Sequence, residues 1–528
     1  MNKIDISPPV KTFTNPILPG FYPDPSICRV GSDYYLVTSS FAYFPGIPIF
    51  HSTDLVNWKQ LGHVLDRPSQ LDLDGVGHSH GIFAPTIRYF NGLFYVITTN
   101  VTKGGNFIVT AERPAGPWSD PYWLKDAPGI DPSLFFDDDG RAYCMGTDEV
   151  PEGGQYYGDN EIWLRELDLN KMALTGPRYG LWRGALKNAI WAEGPHLYKI
   201  NGMYYLVIAE GGTDYHHAVT VARSSQLKGP YEGNPANPIL THRHLGRSYP
   251  IVNTGHADIV ETQHGEWWMV ALASRPYGGY YRNLGRETFL MPVQWEDGWP
   301  IVSPGSGRIE FEYPCPRLEK SSEIPAAARD DFNGKVLDAV WNSLRTPREQ
   351  FWDLQSGCLK LMLRNRKLNE RTTPSFIGRR QQHFNFSASA AMEFKPCEDG
   401  DTAGLVLMQS NEYHYRFEYT RIEGKNMLRL VRCFKGEETE LARKEFGHNH
   451  MVMKISANGQ DFCFLYGVSE RDLQVLIENV DGRMLSTDVA GGFVGTYIGM
   501  FACCETEPGM KTADFDWFDY HEEKQADR

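Results

Sequence analysis

Asp24-Pro25-Ser26-Ile27, followed by Tyr34-Tyr35-Leu36-Val37, is one instance of a phrase that the chain repeats five times. A polar or acidic signature opens a strand, and a paired-aromatic or Tyr-hydrophobic strand comes ten to twelve residues later. The other openings are Ala84-Pro85-Thr86-Ile87, Asp131-Pro132-Ser133-Leu134, Glu193-Gly194-Pro195-His196-Leu197 and His256-Ala257-Asp258-Ile259. Their followers are Phe94-Tyr95-Val96-Ile97, Tyr143-Cys144-Met145, Tyr204-Tyr205-Leu206-Val207 and Trp267-Trp268-Met269-Val270. Openings at 24, 84, 131, 193 and 256 lie 60, 47, 62 and 63 residues apart. Periods of that size mark propellers and arrays rather than one mixed sheet.

Between opening and follower sit turn signals: Gly31-Ser32-Asp33, Asn91-Gly92, Asp138-Asp139-Gly140, Asn201-Gly202 and His264-Gly265. Asn-Gly and Asp-Gly suit tight hairpins, whose central residues need positive φ. Each repeat reads as a hairpin with further strands, such as Ile49-Phe50-His51 and Ala218-Val219-Thr220-Val221-Ala222. Four strands per blade and five blades predict a five-bladed β-propeller over residues 1–305 of an all-β chain. A jelly roll or stacked sandwich with coincidental repeats is the alternative.

The pattern breaks after about residue 300. Residues 306–328, with Pro314, Pro316 and Pro325, read as a linker running along the first domain. Alternating segments then follow, among them Leu359-Lys360-Leu361-Met362-Leu363 and Tyr413-His414-Tyr415-Arg416-Phe417-Glu418-Tyr419. They predict a β-sandwich over residues 329–528, serving either to bind carbohydrate or to cover the first domain.

At 528 residues the chain is too long for one core. Its net charge of −14, without a basic run interleaved with aromatics, argues against nucleic acid. Nine cysteines form no CxxC pair, so neither a zinc site nor a redox motif is indicated. Met1 to Thr14 lacks an apolar leader, and no run of about 18 apolar residues marks a membrane span. Free thiols and no leader point to the cytoplasm. No membrane partner is expected, and a homo-oligomer stays open.

Three openings carry a carboxylate at the same place in the repeat: Asp24, Asp131 and Glu193. Equivalent positions of a closed circular repeat converge on one axis. Two carboxylates facing one glycosidic bond can hydrolyse it, one as ionised base and one as protonated acid. A third carboxylate near the acid raises its pKa. Taken singly, an Asp-Pro-Ser reads better as turn chemistry; two copies plus Glu193, all in register, favour catalysis.

Tyr22-Pro23-Asp24-Pro25-Ser26, Ala84-Pro85-Thr86, Asp131-Pro132-Ser133 and Glu193-Gly194-Pro195-His196 resemble, in order and spacing, the signature blocks of family 43 glycoside hydrolases. The C-terminal region resembles the concanavalin-like β-sandwich of that family's β-xylosidase and α-L-arabinofuranosidase branch. The resemblance implies hydrolysis with inversion, with Asp24 as general base, Glu193 as general acid and Asp131 as the residue that orients and tunes the acid. It implies that Arg286 reaches sugar hydroxyls and holds Asp131 ionised. It also implies that His256 sits on the axis, where parts of the family bind calcium through water. No cofactor is required by this mechanism.

Phe83 stands where many members carry Trp before the Ala84-Pro85 block, a smaller wall without the indole donor. Phe41 matches a second pocket aromatic; either ring is equally at home in a core. By resemblance, a sandwich loop narrows the pocket mouth. Phe493-Val494-Gly495-Thr496-Tyr497 is similar to that loop, with Tyr497 lining the leaving-sugar site. The expected activity is removal of non-reducing terminal β-D-xylosyl residues from xylo-oligosaccharides, with α-L-arabinofuranosides also cleaved. A dedicated α-L-arabinofuranosidase and a non-catalytic carbohydrate-binding propeller are the alternatives.

Overall fold

The structure, a computed structural model, describes residues 11–186, 189–321, 328–506 and 511–523. The expected linker residues 322–327 lie outside these, as do the chain ends of both expected domains. The protein is all-β. Among the described residues the helices are single turns, Gly482–Leu485 and Thr487–Ala490, and none is long and apolar enough to cross a membrane.

The five repeats become five separate antiparallel sheets. The first contains Ser26–Val30, Asp33–Val37, Gly46–Ser52 and Lys59–Leu65 in chain order. The second runs from Thr86–Phe90 and Leu93–Asn100 through Gly105–Ala111 to Tyr122–Trp123. Ile130–Phe136, Ala142–Glu149, Asn160–Asp168 and Ala173–Trp182 make the third. The fourth holds Glu193–Ile200, Met203–Glu210, Ala218–Ser224 and Glu232–Gly233, with Leu240–Thr241 also on Ala218–Ser224. Val252–Glu261, Trp267–Ser274, Glu287–Glu296 and Trp299–Val302 make the fifth. Two of the hairpin turns carry positive φ at both central residues, Asn91 (48°) with Gly92 (85°) and Asn201 (50°) with Gly202 (80°), as Asn-Gly predicts.

The first strands of the sheets touch in a cycle. Ser26–Val30 meets Thr86–Phe90, which meets Ile130–Phe136, then Glu193–Ile200, then Val252–Glu261, which returns to Ser26–Val30. Thr12–Thr14 pairs with Glu312–Pro314, so part of the expected linker is a strand laid on the first region. Asn15 ties this end to the fifth sheet, its side chain donating to Leu290 O at 2.9 Å.

Beyond residue 328 two sheets face each other over one core. One is built around Asn385–Glu393, His450–Asn458 and Thr512–Glu522, the other around Thr402–Met408, Tyr413–Ile422 and Tyr497–Cys503. Between them lie Phe386, Leu405, Phe417, Ile455 and Phe515, all fully buried. A second cluster crosses between the two regions, joining Phe21, Ile47 and Phe107 to Phe376, Met408 and Tyr497. Buried Arg345 reinforces the joint, donating to Val76 O at 2.6 Å, Thr372 O at 2.7 Å and Asn411 Oδ1 at 2.8 Å. Such a joint packs the sandwich directly against the first region.

Several histidines are locked in this interior. Burial pulls His63, His196, His217 and His414 down to about 3. An unfolded histidine titrates near 6.5. Between pH 6.5 and 3 the unfolded chain therefore binds more protons, and stability falls as pH falls through that window. The slope is on the order of 1 kcal/mol per pH unit per site. Calorimetry should show Tm declining steadily from pH 7 to 5; a constant Tm would mean that these rings are not buried neutral.

Candidate active site

Asp24, Asp131 and Glu193 line one cavity of about 340 Å³ at the start of the first, third and fourth sheets. Phe41, Phe83, Ala84, His256 and Arg286 line it as well. The repeat positions share an unusual backbone. Asp24 (φ 54°), Asp131 (51°) and His256 (46°) are left-handed, and in the fourth repeat Gly194 (56°) takes this conformation. Non-glycine residues adopt it rarely, and it costs roughly 1–3 kcal/mol. The registers of the third, fourth and fifth sheets slip between Ile130 and Ser133, Glu193 and His196, and Gly255 and Ala257. These bulges turn the side chains out of the pleat and into the cavity. Gly194 is required for a further reason: a Cβ there would lie 2.9 Å from His256 Cε1.

Each carboxylate has its own environment. Burial pushes Asp24 up, but Arg286, His256 and Ser39 outweigh it and hold the carboxyl below its ordinary value. Arg286 Nη1 donates to Asp24 Oδ1 at 2.7 Å and Ser39 Oγ to Oδ2 at 2.5 Å. Burial, then the charges of Asp131 and Asp24, raise Glu193 well above the ordinary range, against a smaller pull from Arg286. Asp131 is pushed up to about 6, chiefly by burial, with His256 pulling down and Asp24 pushing up. Gly194 donates its backbone N–H to Asp131, tying the third opening to the fourth.

Arg286 acts on Asp131 as expected, its charge favouring the ionised form, but its direct ion pair is with Asp24. Strand Glu287–Glu296 starts immediately after it, and Thr288 Oγ1 donates to Tyr22 O at 2.6 Å, which brings Arg286 beside Asp24. Its Nη1 also donates to Thr213 Oγ1 at 3.1 Å. The guanidinium carbon lies 5.6 Å from the ring centroids of both Phe41 and Phe493.

Tyr497 is a correction. It is fully buried and stacks on Tyr43 with ring centroids 3.7 Å apart, away from the cavity. It begins strand Tyr497–Cys503, whose Tyr497 and Phe501 belong to the joint between the two regions while Ile498, Met500 and Ala502 face the sandwich core. Phe493, earlier in the same arm, reaches the cavity instead and lies 6.0 Å from Phe41 and 6.1 Å from Phe83. The arm is clamped: Phe493 N–H donates to Ser79 Oγ at 2.8 Å and Thr496 N–H to Asn283 O at 2.8 Å. A Cβ on Gly495 would lie 2.6 Å from Leu284 O, so only glycine lets the arm approach.

Trp191, Thr213, Glu149, Asn160 and Ile130 also line the cavity, and none was singled out from the sequence. Ile130 directly precedes Asp131 as Phe83 precedes Ala84, a parallel that was available. Thr213 and Trp191 sit in loops outside the repeat and carried no such signal.

The sequence profile described as glycosyl hydrolases family 43 matches residues 13–300. The chain belongs to glycoside hydrolase family 43. The profile described as the beta xylosidase C-terminal concanavalin A-like domain matches residues 329–521 of the same hydrolase. A protein of Butyrivibrio fibrisolvens named xylosidase/arabinosidase is 48% identical over 96% of this chain and 99% of its own length. A non-reducing end alpha-L-arabinofuranosidase of Bacteroides ovatus is 39% identical over 97% of this chain and 95% of its own. The solved xylan beta-1,4-xylosidase of Bacillus halodurans superposes with a TM-score of 0.91 at 36% identity, covering 97% of this chain and 100% of that one.

The described residues around His256 in this family 43 hydrolase form no direct calcium cage. Calcium takes six to eight oxygen donors. The nearby buried carboxylate, Asp258, is already committed to Arg88 Nη1 at 2.8 Å, Ser26 Oγ at 2.7 Å and Ile27 N–H at 3.0 Å. Arg88 Nη2 contacts His196 Nδ1 at 3.0 Å, so a guanidinium already supplies the positive charge. Among the described residues no three His, Cys, Asp or Glu side chains are placed to share an ion.

Phe493 is 38% exposed, so its removal should spare stability. Phe493→Ala is expected to raise KM for a small xyloside about tenfold, the scale of one lost aromatic contact and its burial, with Tm nearly unchanged. An unaltered KM would show that the arm does not wall the sugar site.

Proposed function

We propose that this hydrolase is an inverting exo-β-xylosidase that also cleaves terminal α-L-arabinofuranosides. One observation carries the reading: a single cavity holds Asp24, paired with Arg286 at 2.7 Å and so drawn below its ordinary range, together with Glu193, raised above its range by burial and by the charges of Asp131 and Asp24. Two carboxyl groups with diverging pKa values are the requirement for base and acid at one glycosidic bond. We further read the five sheets as blades of a five-bladed β-propeller, supported by the cyclic contact of their first strands. On that reading the three carboxylates start inner strands and converge at one mouth.

In the proposed reaction Asp24 takes a proton from water. Its oxygens each accept one hydrogen bond, from Arg286 and from Ser39, which leaves lone pairs to hold the water. The water oxygen bonds to the anomeric carbon as the bond to the leaving oxygen breaks, and Glu193 gives that oxygen its proton. The nucleophile arrives on the face opposite the leaving group, so configuration inverts. Burial first, and then the charge of Asp131, raises the Glu193 carboxyl and favours its protonated form.

Exo attack is supported by the small cavity and by the Phe493 arm across its mouth. The cavity is at the lower end of the range for ligand sites and is lined by phenylalanine rings that suit a sugar's C–H face. The relatives' names span both pentose activities, which supports dual acceptance. A cytoplasmic setting, where imported oligosaccharides would meet the enzyme, is part of the same proposal. Parallel assays on aryl β-D-xylopyranoside and aryl α-L-arabinofuranoside test it. Cleavage of the arabinoside alone would transfer the substrate assignment, and cleavage of neither would favour an endo-acting enzyme or a carbohydrate-binding protein.

A further inference from the structure

The cavity has two halves of different origin. Asp24, Phe41, Phe83, Arg286 and Phe493 form one; Glu149, Asn160, Trp191 and Glu193, from the third and fourth sheets, form the other. The proposed chemistry uses Glu193 from the second half and leaves its neighbours without a role.

Trp191 is held by three loops. Its φ of 54° is left-handed, an outlier for a bulky side chain. Its N–H donates to Gly158 O at 2.7 Å, and Ile190 O beside it accepts from Gly211 N–H at 2.9 Å. Two glycines leave the space that the indole fills. A Cβ on Gly212 would lie 2.5 Å from Trp191 Cε3, and one on Gly158 would lie 3.1 Å from Nε1. Tyr157 stands edge-on to the indole at 5.7 Å and is itself 80% exposed. The ring is thus fixed while remaining half-buried at the cavity. Asn160 is fixed to the same unit: its Nδ2 donates to Thr147 Oγ1 at 3.2 Å, which donates to Ala192 O at 2.5 Å.

We infer that Trp191 is the stacking platform for the leaving sugar, with Glu149 and Asn160 placed to bond its hydroxyls. The inference rests on the reading of Glu193 as general acid, because the leaving oxygen must lie on the Glu193 side. A pyranose presents a face of C–H groups that an indole covers well, and its rim of hydroxyls suits a carboxylate and an amide. The ligand class is therefore a neutral pyranosyl unit, the second residue of a xylo-oligosaccharide.

The test compares kcat/KM on xylobiose and on methyl β-D-xylopyranoside. Both leaving groups are alkoxides that need the same proton from Glu193, but only xylobiose places a ring on Trp191. Trp191→Ala is expected to lower kcat/KM about tenfold on xylobiose and less than about twofold on the methyl glycoside. Trp191→Phe should restore most of the difference. Trp191→Leu, which keeps apolar bulk in the cradle, should reproduce the selective loss even if the Ala variant does not fold. Equal loss on both substrates would make Trp191 a support for Glu193 and overturn the inference. No loss on either would overturn it while leaving the β-xylosidase reading intact. A wild-type enzyme inactive on both would overturn the two together.

Discussion

Glu193→Gln is expected to lower kcat/KM on xylobiose by about 10²–10⁴-fold, the range supplied by a positioned proton donor. The loss should shrink to about tenfold or less on an aryl xyloside whose phenolate leaves without protonation. Gln keeps the shape of Glu but carries no transferable proton. The pH profile should change with it. In the wild type Glu193 must be protonated, so activity falls as pH rises through its raised pKa. That alkaline limb should vanish in the variant. A uniform loss on both substrates, with the limb retained, would place the acid elsewhere.

Asp24→Asn is expected to remove turnover on every glycoside, by about 10³-fold or more, because attack by water is common to all leaving groups. Binding of xylose should persist, since Arg286, Phe41 and Phe83 remain. The wild-type acid side should carry two steps: Asp131 loses its charge as pH falls through about 6, and Asp24 loses the base function below the usual carboxylate range. Arg286→Met should move the Asp24 step upward, since the guanidinium at 2.7 Å opposes the effect of burial. An Asp24→Asn variant that cleaved aryl xylosides at wild-type rate would refute the assignment.

Much of this is legible in the sequence alone. The five openings and their turns correspond to five sheets because a repeat's local chemistry, Asn-Gly hairpins and β-branched strands, acts within each repeat. Asp24, Asp131 and Glu193 were legible for the same reason: one offset in a repeat becomes one place in the fold. What failed to show depends on contacts across the chain. Tyr497 and Phe493 lie four residues apart in one arm, and only the clamp by Ser79, Asn283 and Leu284 decides which ring enters the cavity. Arg286 was placed near the carboxylates, yet its partner depends on the pairing of its strand with Tyr22. Trp191 sits outside the repeated phrase, and the glycines that make room for it, Gly158 and Gly212, come from separate loops. Nor does the sequence show Arg88 reaching Asp258, two residues from His256, from another sheet.

The central claim is that Asp24 activates water on one face while Glu193 protonates the leaving oxygen on the other. The most direct measurement is proton NMR of xylobiose hydrolysis, reading the first-formed anomer at the new reducing end before mutarotation. Accumulation of α-xylose from the β-linkage is the result predicted. Accumulation of β-xylose would require a covalent glycosyl-enzyme and would contradict the assignment of Asp24 as base.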